Sequence, residues 1–160
     1  DSFFNRFAHL LKLTPLVFPL ACPKARFAPV YVDDVVEAFA LSLKDPDTYG
    51  QSYDLCGPNE YTLQQLVEYT AACIDVNRKI LPLGDFLSRL QAAVFGFVPG
   101  KPFSTDNYLS AQVDSVCRNG GDLASFGIKP SAIETIVPRY LSQETARSHY
   151  SEYRRHAGRH

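Results

Sequence analysis

The sequence lacks the glycine-rich turn with which many proteins hold a dinucleotide. Its nine glycines never fall in a Gly-x-Gly-x-x-Gly spacing, which brings backbone close to a pyrophosphate at a helix N-terminus. No tyrosine stands four residues before a lysine, and Gly100-Lys101 is followed by Pro102 where a P-loop requires serine or threonine. We therefore expect this chain, taken alone, to bind no cofactor and to carry no catalytic residue.

Other absences exclude further classes. Sixteen basic and seventeen acidic residues leave a net charge of −1, so no strong attraction to nucleic acid or anionic membranes is expected. No apolar run approaches the roughly 18–20 residues that span a bilayer. The four cysteines form no Cys-x-x-Cys pair and, with the four histidines, no zinc spacing. We expect buried, reduced thiols and a cytoplasmic location, with no bound metal.

With 160 residues, 46% of them apolar, the chain is long enough for one domain with a core. Hydrophobic spacing predicts helices alternating with short strands, the pattern of an α/β fold. The predicted helices cover residues 2–13, 34–44, 62–74, 85–95, 122–126 and 131–141, with another beginning near Asp106. The predicted strands cover residues 28–32, 53–56 and 79–83, with an extended piece at 113–117.

Capping patterns support three of the helix starts, because a hydroxyl or carboxylate followed three residues later by Glu or Gln satisfies free backbone N–H groups. The pairs are Asp34 with Glu37, Thr62 with Gln65, and Ser131 with Glu134. In the helix after Asp34, the inward side chains are predicted to be Val35, Val36, Phe39, Ala40 and Leu43. Asp33 and Asp34 are the only adjacent carboxylates, and capping explains them better than acid–base chemistry.

Several segments follow one another at a family spacing. They are residues 26–39 (RFAPVYVDDVVEAF), 53–58 (YDLCGP), 61–66 (YTLQQL) and 79–83 (KILPL). Together they resemble the C-terminal half of extended or atypical short-chain dehydrogenases of the NAD-dependent, nucleoside-diphosphate-sugar epimerase/dehydratase type. Three later segments, 99–104 (PGKPFS), 106–108 (DNY) and 137–141 (VPRYL), are similar to bacterial relatives of the nucleotide-binding accessory subunit of respiratory complex I.

The resemblance covers residues 1–141. We expect residues 142–160 to be a polar, basic, solvated terminal extension, with a helical docking arm as the alternative. The resemblance implies the C-terminal part of a Rossmann-type NAD(P)-binding fold with a small substrate lobe, in which the first βαβ units are absent. NAD or NADP would then be bound by the full-length parent, through a missing N-terminal dinucleotide-binding half. It also implies a homo-oligomer through the truncated edge, or a partner in a respiratory complex or at a membrane surface, peripheral to the inner membrane.

One departure concerns the substrate diphosphate. Family members with a sugar-nucleotide substrate read Arg-Asp-aromatic-apolar-His/Tyr-Val-x-Asp, and aligning Tyr31 with this pattern places Phe27 where the arginine belongs. Arg26 is one residue early, which in a strand turns a side chain to the opposite face unless a bulge intervenes. Arg26 and Tyr31 are the candidate substrate-binding residues, with half-buried packing as the alternative for Tyr31.

Two functions remain open. In the first, the parent is an NAD(P)-dependent epimerase-like oxidoreductase whose substrate cleft this half shapes. In the second, the parent is a non-catalytic, nucleotide-stabilised accessory or assembly protein of a respiratory or quinone system. The apolar segment 86–98 is core of the small lobe or, if exposed, a contact patch for a partner, a membrane surface or a hydrophobic ligand. The tail's charges are too mixed to predict nucleic-acid binding.

Overall fold

A computed structural model describes residues 2–95 and 105–141 of the chain, which is mixed α/β as predicted. The helices are α1 (Ser2–Leu13), α2 (Val32–Ser42), α3 (Leu63–Cys73), α4 (Asp85–Phe95), α5 (Thr105–Ser110) and α6 (residues 133–141). The strands are β1 (Val17–Leu20), β2 (Arg26–Phe27), β3 (Tyr61–Thr62) and β4 (Lys79–Pro82). Short 3-10 turns cover Pro46–Thr48, Arg118–Gly120 and Leu123–Phe126.

Helices α1 and α3 form the centre of the described structure. One face of the pair packs against β1 through Leu11, Phe18 and Val67. The other face packs against α6, where Leu66 meets residues that include Val137. The helices that hydrophobic spacing predicts over residues 2–13 and 62–74 are therefore confirmed, and α6 packs on the second side of this helix pair.

Helix α3 begins as the sequence predicts. The Thr62 hydroxyl accepts a hydrogen bond from the Gln65 backbone N–H at 3.2 Å, and the Gln65 side chain accepts one from the Thr62 N–H at 2.8 Å. This capping box satisfies two backbone donors that the first helical turn leaves free. Because β3 ends at Thr62 and α3 begins at Leu63, the capping box also fixes where the strand ends and the helix begins.

Two small sheets connect distant parts of the chain. Strand β1 pairs in parallel with β4, in the register Val17 with Lys79 through Leu20 with Pro82. Strand β2 pairs antiparallel with β3, and Phe27 also makes a parallel bridge to Ser115. The predicted strand at 79–83 is thus confirmed, and the extended piece at 113–117 supplies the bridge. The expectation of mostly parallel strands holds for β1 and β4 only.

The predicted strand at 28–32 is wrong. Pairing ends at Phe27, and the segment between β2 and α2 is extended backbone without a regular strand partner. Pro29 carries no N–H to donate to a neighbouring strand. The backbone at Gly57 passes very close to this segment, because a Cβ on Gly57 would lie 1.9 Å from the Pro29 carbonyl oxygen. Only glycine allows the two backbones to approach this far.

The predicted strand at 53–56 is also absent. These residues are extended, but their backbone bonds go to a turn: the Asp122 N–H donates to the Asp54 oxygen at 2.8 Å, and the Asp54 N–H donates to the Asp122 carboxylate at 2.7 Å. Tyr53 packs edge-on against Phe126, with ring centroids 4.8 Å apart. The sequence pattern of a strand is present here, but the described chain offers no strand beside it.

The inward face predicted for α2 is wrong as well. Helix α2 begins at Val32, and its buried positions are Asp34 and Ala38. Ala38 packs against Leu123 and Ile128. An apolar face points outward instead, and we call it the α2 apolar face. Its side chains are 59–77% exposed and comprise Val32, Val36, Phe39 and Leu43.

Helix α4 matches its predicted range, but much of its apolar surface is exposed. Phe86, Leu87 and Leu90 are 48–77% exposed, whereas Ser88 is buried and its hydroxyl accepts the Cys22 N–H at 3.2 Å. The first half of segment 86–98 is therefore surface rather than core. Residues 96–98 of that segment and the tail at 142–160 lie outside the described residues. No helix among the described residues is long and apolar enough to cross a membrane.

Candidate functional site

A cavity of about 470 Å³ lies between the extended segment after β2 and helix α6, and we call it the α6 cavity. Most of its walls are apolar, with two tyrosines and one serine as polar groups. The lining residues are Phe4, Pro29, Val30, Tyr31, Val32, Ser131, Ile133, Ile136, Val137 and Tyr140. A concave apolar site with few polar groups is the usual form of a small-molecule site.

Asp34 binds Ser131, one of the residues that line this cavity. Its carboxylate accepts two hydrogen bonds from Ser131, at 2.7 Å from the backbone N–H and 3.1 Å from the hydroxyl. Asp34 is only 8% exposed, so this charge-assisted tie works in a partly dehydrated setting. It holds the start of α2 against the chain that leads into α6.

The predicted capping role of Asp34 is therefore wrong. Residue Tyr31 stands at the N-cap position of α2 and makes no side-chain cap bond. The predicted box of Ser131 with Glu134 is wrong too, because the Ser131 hydroxyl donates to Asp34 and the Glu134 carboxylate accepts the Tyr61 hydroxyl at 2.8 Å. Both carboxylates accept hydrogen bonds from residues that are distant in sequence, rather than from residues in their own helix turn.

Tyr31 lines the α6 cavity, as a ligand-contacting tyrosine would. Its hydroxyl hydrogen-bonds to the Asp33 carboxylate, which is the main cause that raises the pKa of Tyr31 above its ordinary value. The charge of Arg139 opposes this rise. Arg139 was not singled out by the sequence, and its only signal was its place on the helix that faces Tyr31.

Arg26 is placed differently. Its guanidinium forms an ion pair with Glu60, and its backbone N–H donates to the Asp114 carboxylate at 3.1 Å. It does not line the α6 cavity, whose lining residues include no lysine or arginine. The structure thus does not bring Arg26 and Tyr31 together, and their role in substrate binding stays a prediction.

The expectation of four reduced cysteines is wrong for two of them. Cys56 and Cys117 form a disulfide across 61 residues, with Cα atoms 6.1 Å apart. Cys22 and Cys73 are free and partly buried. Burial, and then the nearby Asp85 charge, raise the pKa of the Cys22 thiol. The bond links segment 53–57 to the turn before Leu123, a pairing that spacing in sequence does not reveal.

The described residues do not fit a dinucleotide or a metal ion. Helices α2 and α3 follow Tyr31 and Thr62 rather than a glycine-rich turn, so no backbone cradle for a pyrophosphate is formed at either. Within residues 2–95 and 105–141, no cluster of three or more His, Cys, Asp or Glu side chains could hold a metal ion.

Comparisons with known proteins agree with the resemblance read from the sequence. No family model matches the chain. The chain is 28% identical over 136 residues to NADH dehydrogenase [ubiquinone] 1 alpha subcomplex subunit 9, mitochondrial, of Rattus norvegicus, and 29% identical over 136 residues to that of Mus musculus. Each match covers 84% of this chain and 36% of the relative, so the chain spans about a third of the length of these curated relatives.

A solved structure shows the same fold. The structure of a nucleoside-diphosphate-sugar epimerase from Staphylococcus aureus superposes with a TM-score of 0.59 and 16% sequence identity. The match covers 86% of this chain and 48% of that one. These similarities confirm the predicted relation to the epimerase-like short-chain dehydrogenases and to complex I accessory subunits, and they confirm the Rossmann-type α/β fold class.

Proposed function

We propose that this chain is the substrate-lobe half of an epimerase-like NAD(P)-binding protein, and that it is catalytically silent without a dinucleotide-binding half. The proposal rests mainly on the α2 apolar face. Residues 32, 36, 39 and 43 follow the i, i+4, i+7, i+11 spacing of a core-facing helix, yet they lie on the surface of this chain. A contiguous apolar helix face of this kind is typical of a covered interface.

The segment beside this face supports the same proposal. Residues 53–56 carry a strand pattern but have no strand partner in the described chain. Tyr53 and Leu55 line a second groove together with Phe39 and Leu43 of the α2 apolar face. The exposed α2 apolar face and the strand-like segment 53–56, which has no strand partner in the described chain, therefore lie next to each other. A parallel sheet, the architecture of a dinucleotide-binding half, satisfies both.

The test mixes this chain with the separately produced dinucleotide-binding half of the parent and measures binding by calorimetry. Burying Phe39 contributes about 2 kcal/mol, so Phe39→Asp is expected to weaken association by roughly 30-fold or more. Glu37→Gln, an exposed neighbour on the same helix, serves as the matched control and should change affinity little. NADH and NADPH should bind the assembled pair and not this chain alone.

Two outcomes would contradict the proposal. One is one-to-one binding of NADH or NADPH to this chain by itself with micromolar affinity. The other is a stable homodimer of the chain that protects Phe39 from solvent, because a second copy would then cover the α2 apolar face. Sedimentation of wild type and Phe39→Asp at several concentrations distinguishes these cases.

For the parent, the geometry favours the second function considered above, a nucleotide-stabilised accessory protein of a respiratory system, located at the inner membrane surface. Arg26 is held by Glu60 rather than free for a diphosphate. The α6 cavity has apolar walls and no cationic side chain among its lining residues. Similarity to curated subunits named for NADH dehydrogenase supports the same choice.

The two functions make opposite predictions for sugar nucleotides. If the parent is an accessory protein, calorimetry with uridine diphosphate glucose should detect no binding to the complete protein, while NADPH still binds. An epimerase-like enzyme should bind that probe and should carry the Tyr-x-x-x-Lys pair in its dinucleotide-binding half. Tight sugar-nucleotide binding that is lost in Arg26→Ala would restore the enzyme assignment.

A further inference from the structure

The disulfide between Cys56 and Cys117 joins an exposed segment, which hydrogen bonds otherwise hold, to residues 53–57. We call residues 113–121 the strap. None of the strap's described side chains is buried, and the nearest buried anchors are Tyr108 before it and Leu123 after it. A segment without buried apolar contacts opens at low free-energy cost, so a covalent tether has a large effect on whether it stays in place.

The strap is otherwise held by a few backbone hydrogen bonds. The Ser115 N–H donates to the Arg26 oxygen at 2.8 Å, and the Ala28 N–H donates to the Ser115 oxygen at 2.9 Å. The Arg118 N–H reaches the Asp54 carboxylate at 3.4 Å. The Arg26 N–H also donates to the Asp114 carboxylate at 3.1 Å. The bonds of Ser115 form the isolated parallel bridge between Phe27 and Ser115.

The strap borders an apolar cavity. Ser115 forms one wall of an open cavity of about 280 Å³ whose other walls include Phe3, Phe4, Phe27 and Leu66. If the strap moved away, the backbone edge at residues 26–28 would become accessible beside these apolar walls. An accessible strand edge next to apolar side chains can take up another extended segment or an apolar ligand.

The location of the bridge suits exchange with an external thiol. Both cysteines are partly exposed rather than sealed in a core. Gly121, at φ +86°, packs against the bridge, where an added Cβ would lie 3.4 Å from both the Cys117 sulfur and the Cys56 Cβ. Gly121 places no side chain against the bridge, and exchange requires that a thiolate reach one of its sulfurs.

We propose that Cys56 and Cys117 form a reversible thiol–disulfide exchange site that fastens the strap when oxidised and releases it when reduced. The co-substrate is a dithiol. One of its thiolates attacks a sulfur of the bridge, which forms a mixed disulfide with that cysteine and releases the other cysteine as a thiolate. The second thiolate of the dithiol then attacks its own sulfur in the mixed disulfide and releases the cysteine still bound there. Two electrons and two protons pass to the chain, which ends with two thiols, while the dithiol becomes a disulfide.

The test uses hydrogen exchange on the full 160-residue chain, read by mass spectrometry or NMR. The oxidised protein is compared with protein reduced by dithiothreitol and with the double variant Cys56→Ser/Cys117→Ser. The Ser115 and Ala28 amides should exchange roughly tenfold faster or more in both open forms. The Val67 amide in α3 lies in the core, so it should lose no more protection than the measured fall in the free energy of unfolding accounts for. The variant Cys22→Ser/Cys73→Ser, which retains the bridge, should behave as wild type.

A redox titration completes the test. In dithiothreitol buffers of graded oxidised-to-reduced ratio, followed by alkylation, Cys56 and Cys117 should become labelled together as one two-electron couple. Equal Ser115 exchange in oxidised and reduced protein would overturn the proposal. So would a loss of Val67 protection larger than the fall in the free energy of unfolding explains, since the core would then open together with the strap. Full labelling of both cysteines in untreated protein would overturn it as well.

Discussion

The tie between Asp34 and Ser131 gives the sharpest test of how the α6 cavity is held. Substituting Asp34 by alanine removes the acceptor for both Ser131 donors, at 2.7 and 3.1 Å, and leaves the Ser131 N–H without its partner. Substituting Ser131 by alanine removes only the hydroxyl bond, because the backbone N–H remains. The two variants therefore separate the two halves of the same interaction.

The expected costs follow from the chemistry of each bond. A hydrogen bond to a charged group contributes about 1.5–3 kcal/mol, so Ser131→Ala should lower the free energy of unfolding by about 1.5 kcal/mol. Asp34→Ala should cost about 3–4 kcal/mol, including a smaller loss of about 0.3–1 kcal/mol from removing a negative charge at the α2 N-terminus. Asp33→Ala should lose mainly the contribution of a negative charge at the α2 N-terminus, because Asp33 is exposed.

Urea unfolding followed by circular dichroism measures all three single variants and the Asp34→Ala/Ser131→Ala double variant. The double-mutant cycle should return a coupling of about 1.5 kcal/mol between the two side chains. The reasoning is refuted if Asp34→Ala costs no more than Asp33→Ala, or if the two substitutions add without coupling. Either result would mean that the tie does not form in solution.

Three further changes have definite expected outcomes. The double substitution of Cys56 and Cys117 by serine should lower the free energy of unfolding by about 4 kcal/mol, because the bridge closes a loop of 61 residues. Burial and a hydrogen bond to a carboxylate raise the pKa of Tyr61. The neutral hydroxyl therefore contributes fully to the free energy of unfolding below pH about 10, and this contribution is lost above that pH. The urea midpoint should fall above pH about 10, and it should fall less steeply in Tyr61→Phe. Leu66→Ala, at 1% exposure, should cost about 2–5 kcal/mol, and Leu90→Ala, half exposed, less than about 1 kcal/mol.

Each of these has a result that would contradict it. An unchanged stability after loss of both sulfurs would show that the bridge does not constrain the unfolded chain. A midpoint that stays level from pH 8 to 11 would show that the Tyr61 hydroxyl is not held neutral. Equal costs for the two leucine substitutions would place Leu66 outside the core.

Features that depend on neighbours in sequence were predictable here. The capping box of Thr62 and Gln65 and the apolar spacing of α1 and α3 are local properties, and the structure confirms both. The order of several such motifs also predicted the epimerase-like relation that the comparisons confirm. Each of these signals lies within a dozen residues or in the spacing between such segments.

Features that depend on distant residues were not predictable. Asp34 has the side chain of a capping residue, but its partner Ser131 lies 97 positions away. The partnership of Cys56 with Cys117 also follows only from the fold. For α2, periodicity identified an apolar face correctly, but it does not tell whether the surface that covers this face belongs to the same chain.

The pairing of β1 with β4 has a consequence for the order of folding. Val17 and Lys79 are partners although 62 positions separate them, and closing such a loop in the unfolded chain costs about 4 kcal/mol of entropy. The helices between them form from local contacts and shorten the effective distance. We therefore expect α2 and α3 to form early and the β1–β4 pairing to form last, so that Phe18→Ala should accelerate unfolding while leaving the refolding rate almost unchanged.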